Sequence, residues 1–253
     1  MRFLSRLFGT GQVLPPDPVA PLIVVGDIHG RADLLEELIG LLAKHADTQA
    51  TLVFVGDYID RGETSADVLG LLQALQDSIW PGTVICLQGN HEAMMLDFLD
   101  RPEEAGAFWL PNGGAHTLAS YGIHPPDMSP GPLLDARDAL CDALRPRTQS
   151  WLRSLPLSHQ SGNVFIAHAG ADPHAPLDRQ DATHLLWGHP EFATTPRRDG
   201  AWVAHGHTIQ DQASAENGRI GVDTGAYATH RLTAALVSRG TCHFIATGGS
   251  QPG

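Results

Sequence analysis

From Leu22 onward the chain is a succession of short apolar runs that end abruptly in Gly, Asp, Asn or His. Leu22–Val25, Thr51–Val55, Thr83–Leu87, Asn163–Ala167, Trp202–Ala204 and Arg219–Val222 are strand-like by length and β-branching. Between the first two, Leu34, Leu35, Leu38, Leu41 and Leu42 recur at helical spacing behind Asp33. Thr64–Asp77 repeats that pattern with Val68, Leu69, Leu71, Leu72 and Leu75, and Thr64 or Ser65 stands where an N-cap belongs. Strand, helix, strand, helix, strand implies right-handed parallel crossovers over the first 90 residues. The polar residues closing each run then fall at strand C-termini, where α/β sheets place their sites.

Residues 92–160 differ in texture. Glu92–Leu99, Glu103–Leu110 and Leu133–Leu155 are helical in period, broken by Gly113-Gly114 and a loop with Pro125, Pro126, Pro130 and Pro132, so the stretch reads as a helical insertion beside the site. The last third returns to strands, with Leu232–Ser238 and Cys242–Thr247 joined through Arg239-Gly240 as a hairpin. Residues 1–21 combine a short amphipathic start, Met1–Phe8, with a connector containing Pro15, Pro16, Pro18 and Pro21. A flexible N-terminal segment is expected there, ahead of a single domain over 22–250.

Composition agrees with one globular domain: 253 residues, 42% apolar and 17% charged, can bury a substantial core. The net charge of 16 − 28 = −12 leaves no basic footprint for nucleic acid. It leaves open a phosphorylated substrate held through metal. Cys86, Cys141 and Cys242 are odd in number and lack C-x-x-C spacing, which argues against a disulfide framework or a thiolate zinc site, so a reducing cytoplasm is expected. No apolar run approaches the roughly 20 residues of a membrane span, so no integral membrane segment is expected. Cys86, inside an apolar run, reads as a buried small hydrophobe. What changes the picture is histidine, 14 in all, several in short strings with Gly and Asp.

Those strings follow the strands. Gly26-Asp27-Ile28-His29-Gly30 offers a carboxylate and an imidazole suited to a divalent transition metal, though alone it reads as an ordinary loop. Gly56-Asp57-Tyr58-Ile59-Asp60-Arg61-Gly62 follows the next strand; Asp57 can meet Asp27 and bridge two cations, or the string is a turn with a surface Asp60–Arg61 contact. Gly89-Asn90-His91-Glu92 supplies a neutral oxygen and a titratable imidazole, or simply a helix-capping turn. His168-Ala169-Gly170 and His205-Gly206-His207-Thr208 close two later strands. Five strand ends with metal-competent side chains are hard to explain as independent accidents.

Taken together with Val222-Asp223-Thr224-Gly225-Ala226, the strings resemble the phosphoprotein phosphatase branch of the calcineurin-like metallophosphoesterases, in the family's order from Leu22 to Val237. Gly89–Met95 and Asn112-Gly113-Gly114 are similar to the bacterial and phage serine/threonine phosphatase type. The bis(5′-nucleosyl)-tetraphosphatases share the core strings. The resemblance implies an α/β fold: a two-sheet β-sandwich flanked by helices, with the helical insertion at about 92–160. It implies one metal on Asp27, His29 and Asp57 and a second on Asp57, Asn90, His168 and His207, both divalent, with Mn²⁺ favoured and Fe or Zn compatible. In that scheme a bridging hydroxide attacks phosphorus, His91 protonates the leaving alkoxide, Asp60 orients His91, and Arg61 holds phosphate oxygens. Arg61, Asn90, His91 and His189 would contact substrate.

Two departures stand out: Gln88 and His189 occupy positions where the phage-like enzymes carry phosphate-binding arginines. Arg197 and Arg198 are candidate replacements, or a solvated pair. Weaker monoesterase activity or a shifted substrate is the expected consequence. His205 lies either beside the ligands or beneath the site, Asp223 orients a ligand or a turn, and Trp187 and Trp202 read as core. Three functions follow: a phosphoserine/phosphothreonine or broader phosphomonoester phosphatase, a dinucleoside tetraphosphate pyrophosphohydrolase, or a metal-binding phosphoprotein-recognition module with little turnover.

Overall fold

The computed structural model describes residues 14–248. The first three apolar runs form β1 (Leu22–Val25), β2 (Thr51–Phe54) and β3 (Val84–Cys86), linked by helices α1 (Ala32–His45) and α2 (Ser65–Ala74), the latter closing in a π-helical turn over Leu75–Ile79. β1, β2 and β3 are parallel. On the other side of β1 lies antiparallel β9 (Thr233–Ser238), and β10 (Thr241–Ala246) completes the expected hairpin and the sheet order β10-β9-β1-β2-β3.

The insertion is helical as expected: α3 (Asn90–Asp100), α4 (Pro102–Trp109), α5 (Gly114–Ser120) and α6 (Pro130–Ser154), the last bent at Arg145 before Pro146. A second sheet follows, β4 (Ser158–Ser161), β5 (Val164–Ala167), β6 (Trp202–His205), β7 (Ser214–Glu216) and β8 (Arg219–Gly221), ordered β4-β5-β6-β8-β7, with α7 (Ala182–Trp187) and α8 (Ala226–Thr229) beside it.

Alternation along the strands makes this a sandwich. Leu22, Val24, Val53 and Val55 of the first sheet meet Val164, Ile166, Trp202 and Ala204 of the second in one buried cluster. The neighbours Ile23, Val25, Leu52 and Phe54 point the other way, into a core with the helices. Phe165, Ala167 and Val203 cover the outer face of the second sheet with Leu185 and Phe192. All strand ends that carry the polar strings therefore open on one edge of the sandwich.

Of the expected flexible segment, residues 1–13 lie outside the described residues. Residues 14–21 are strapped to the sandwich: Asp17 N–H donates to Asn163 Oδ1 (2.6 Å), Asn163 Nδ2 to the Pro15 carbonyl (3.0 Å), Val19 N–H to Ser161 Oγ (3.0 Å) and Gly240 N–H to the Pro16 carbonyl (2.7 Å). No described helix is long and apolar enough to cross a membrane.

Candidate metal centre

The loops leaving β1, β2 and β6 bend sharply enough that non-glycine residues enter the left-handed region. His29 (φ 48°), Asp57 (φ 54°), Asp60 (φ 72°), Arg61 (φ 67°) and His207 (φ 62°) all do so. Such backbone costs on the order of 1 kcal/mol or more per residue and clusters at functional sites. The turns also need close approach: a Cβ on Gly89 would collide with Asp57 Oδ1, and one on Gly206 with Asp27 Oδ1.

Two groups of donors converge, His29–Asp57–His91 and Asp57–His168–His207, each with its atoms within 4.8 Å of one another. Hydrogen bonding fixes the tautomers. His29 Nδ1 is 2.9 Å from the Ile59 carbonyl, so it carries the proton, and its Nε2 lone pair faces Asp57 Oδ2 at 3.5 Å. His168 Nδ1 donates likewise to the Val55 carbonyl (3.2 Å). Its Nε2 lone pair faces Asn90 Oδ1 at 2.8 Å, His207 Nδ1 at 3.2 Å and Asp57 Oδ1 at 3.4 Å. Acceptors pointed at acceptors are reconciled by cations, and a ring N–H held by a backbone carbonyl is the usual support of a metal-bound imidazole. The donor set therefore fits divalent metals.

Electrostatics points the same way. Asp27, Asp57, Glu92 and Asp223 are all buried. Burial, with the charges of Asp223 and Asp57, pushes Asp27 well up, and burial pushes Glu92 up to about 7 and Asp223 up to about 6. Burial also acts on Asp57, but the surrounding His168, His91 and His29 outweigh it and hold its carboxyl low. Burial drives His29 down to about 3 and His168 to about 4, which keeps both imidazoles neutral, the form that ligates. Asp27 stands beside the two groups and belongs to neither; both its oxygens accept the His207 N–H (3.0 and 3.2 Å).

His91 Nδ1 is 2.7 Å from Asp60 Oδ2. Asp60 Oδ2 also accepts Trp109 Nε1–H (2.9 Å), and its Oδ1 accepts Thr117 Oγ1–H (2.6 Å), so a fully buried carboxylate is held by three side chains. Arg61 Nη2 lies 3.1 Å from His91 Nε2, and the guanidinium packs over Tyr227 at 4.9 Å. His189 is brought together with other residues: its Nε2 is 3.9 Å from Asp172 Oδ1 and its ring 4.6 Å from that of His184.

Arg197 pairs with Asp199 and donates to the carbonyls of Asp172 and Ala175, so it is no phosphate clamp at this centre. His205 takes the position beneath the site, Nδ1 on the Gly206 carbonyl (3.0 Å) and ring against Phe192. Asp223 accepts the Gly225 N–H at 2.8 Å, organising a turn. Trp202 is core, but Trp187 is 40% exposed, its ring 6.0 Å from that of exposed Phe108.

Glu92, Trp109, Thr117 and Tyr227 carry no weight in the sequence reading. Glu92 holds the centre's loops, Oε2 accepting the N–H groups of Asp57 (2.8 Å) and Gly89 (2.9 Å) and Oε1 that of Tyr58 (2.8 Å). Its spacing from Gly89, three residues, is the reciprocal half of a capping box and could have flagged it.

Donor groups that share one aspartate, set at strand ends of both layers of a sandwich, are of the kind that holds two cations for hydrolysis. The chain belongs to the calcineurin-like phosphoesterase family, whose model matches residues 20–218. An 86-residue stretch is 37% identical to the asymmetrical bis(5′-nucleosyl)-tetraphosphatase PrpE of Oceanobacillus iheyensis, covering 28% of this chain and 34% of that relative, about a third of its length. A solved candidate diadenosine tetraphosphatase superposes with TM-score 0.62 at 23% identity, over 92% of this chain and 96% of its own. The cold-active protein-tyrosine phosphatase of a psychrophilic Shewanella superposes with TM-score 0.61 at 18% identity over 91% and 82% of the two chains. A protein serine/threonine phosphatase of Saccharomyces cerevisiae gives 0.56 at 17% over 93% and 82%. At such identities the likeness is one of fold.

Proposed function

We propose that the chain is a metal-dependent phosphatase acting on phosphoserine- and phosphothreonine-type monoesters. The observation that supports this reading is the His91–Asp60 pair, although the strings that carry it are shared with the bis(5′-nucleosyl)-tetraphosphatases and the choice of substrate rests on the turnover test below. An alkoxide is a poor leaving group and must be protonated as it departs, whereas a nucleoside phosphate leaves readily without help. A buried imidazole backed by a carboxylate that three side chains hold in place is suited to the first task.

Asp27, His29 and Asp57 would hold one cation, Mn²⁺ by preference, and Asp57, Asn90, His168 and His207 the other. Bound there, such ions supply Lewis acidity, lowering the pKa of water and drawing charge from phosphoryl oxygen. The protein's own contribution is orientation and proton control: Asp60 keeps the His91 proton on Nδ1 and favours the charged ring, and once Arg61 Nη2, 3.1 Å from Nε2, turns to phosphoryl oxygen, an Nε2–H would face the departing oxygen. Arg61, braced by Tyr227, offers its fork to phosphoryl oxygens beside Asn90 and His91. A cytoplasmic location and a phosphorylated protein as partner belong to the same proposal.

A dinucleoside tetraphosphatase is the second reading, favoured by two observations. Arg61 is the guanidinium at the centre, which suits a singly charged internal phosphoryl better than a dianionic monoester. Phe108 and Trp187 flank a hollow of about 350 Å³ lined also by Ala93, Met94 and Asp97, an aromatic seat for a base. Turnover of Mn²⁺-loaded protein on a phosphothreonine peptide and on diadenosine tetraphosphate, with Asp57→Asn as control, decides between them. Phosphate released from the peptide supports the phosphatase; cleavage of the dinucleotide alone supports the second reading. Phosphopeptide binding without turnover would revive the recognition module.

A further inference from the structure

We infer that Asp172, His184 and His189 form a third cation site, of the zinc class, separate from the donor pairs on Asp57. Their donor atoms lie within 4.8 Å of one another. Asp172 Oδ1 and His189 Nε2, 3.9 Å apart, are too distant to bond to each other. They are near the separation, roughly 3.4 Å, that two ligands take on one tetrahedral ion with bonds of about 2.1 Å. The rings of His184 and His189 meet edge to face at 4.6 Å.

An independent observation points to a ligand: His184 Nδ1 is buried and has no hydrogen-bond partner. A buried imidazole nitrogen without a partner carries a desolvation cost, which a bound ion removes when that nitrogen is the ligand. The scaffold is also built in advance. Gln180 clamps the loop after Asp172, its Oε1 accepting the Asp172 N–H (2.6 Å) and its Nε2 donating to the carbonyls of Asp172, Ala175 and Pro176 (3.2, 3.0 and 3.2 Å). Asp172 Oδ1 is aimed by the His174 N–H at 2.8 Å, and Asp181 caps the helix that presents His184. Binding has one local cost. His189 Nδ1 accepts the Glu191 N–H (3.2 Å), so an ion taking Nε2 moves the ring proton to Nδ1 and releases that N–H to water.

Two imidazoles and one carboxylate, partly open to solvent, match Zn²⁺ with water completing the shell. The site stands on the same loop as His168, four residues on, and the Ala169 N–H donates to the Leu185 carbonyl (2.8 Å) of the helix bearing His184. A cation here would add positive charge on the loop that follows His168; this role, unlike the site itself, rests on the phosphohydrolase reading.

Equilibrium dialysis of the full chain against micromolar Zn²⁺, followed by metal analysis, tests the site without reference to activity. Wild type should retain one more zinc per chain than His184→Ala or Asp172→Asn, and Asp57→Asn should keep that extra ion while losing metal from the main centre. Equal zinc content in wild type and both variants overturns the site. In turnover at low ionic strength, a His184→Ala protein lacking the ion should show a KM for anionic substrate raised several-fold; an unchanged KM overturns the electrostatic role. Failure of every phosphoester as substrate would sink the phosphohydrolase reading and leave the zinc count standing.

Discussion

Asp60→Asn isolates charge from shape in the proposed acid pair. Asparagine can place its carbonyl oxygen where Oδ2 accepts from His91 and Trp109, and its amide toward Thr117 Oγ1. That hydroxyl can turn its own proton to Ser65 Oγ at 3.2 Å, so every partner stays satisfied and stability should change little. What is lost is the carboxylate charge on the imidazole. Hydrogen bonds to charged groups contribute about 1.5–3 kcal/mol against about 0.5–1.5 for neutral ones, a difference of about 1–1.5 kcal/mol. At roughly tenfold per 1.4 kcal/mol, kcat should fall about tenfold with KM nearly unchanged. The pH profile should move as well. Burial disfavours the charged His91 ring, but Asp57 and Asp60 together outweigh burial and hold its pKa above the ordinary value. An acid works only while protonated, so activity fades as pH rises through that pKa, and removing Asp60 should shift the alkaline limb to lower pH. The assay is kcat against pH on a phosphothreonine peptide and on p-nitrophenyl phosphate, whose leaving group needs little protonation. Equal losses on both substrates, or an alkaline limb that stays in place, would refute the acid role of His91.

In a His184→Ala background, which removes the proposed third site, Asp57→Asn should lower metal content below two ions per chain and weaken binding by more than the roughly 10–100-fold typical of losing an outer partner, as dialysis and metal analysis would read; two tightly held ions in that background would contradict the bridging assignment. Glu92→Gln turns one of three backbone-accepting contacts into a donor facing a donor, and should cost about 1–3 kcal/mol in denaturant unfolding. Gln88→Arg should lower KM for phosphomonoesters roughly tenfold by adding a charge-assisted bond; no change would mean that the monoester is already clamped by other groups.

The sequence announced what is apolar and periodic. β1, β2, β5 and β9 were plain because each is a hydrophobic run with a polar stop. β4 (Ser158-His159-Gln160-Ser161) and β7 (Ser214-Ala215-Glu216) were silent, and the sheet order explains it: they are the two edges of the second sheet, half solvated and stripped of apolar alternation. Of the two N-cap candidates for α2, Thr64 and Ser65, Thr64 takes the N-cap position, but its side chain makes no capping bond there: its Oγ1 accepts the Ala32 N–H (3.0 Å) and donates to the Gly30 carbonyl (2.7 Å), serving the start of α1. Strand-end strings led directly to His29, Asp57, Asn90, His91, His168 and His207. Trp109 and Thr117 remained hidden because they reach Asp60 from 49 and 57 residues away, and no local pattern encodes a long-range hydrogen bond.

The left-handed backbone at His29 and His207 implies an opposition between durability and chemistry. Glycine adopts that conformation freely, so His29→Gly or His207→Gly would discard a proposed ligand while relieving backbone strain. For His29 the relief is set against the lost bond to the Ile59 carbonyl and the space left by a buried ring packed on His91 and Tyr227. An imidazole held at a turn that glycine enters more easily is explained by what its ring touches rather than by the backbone beneath it.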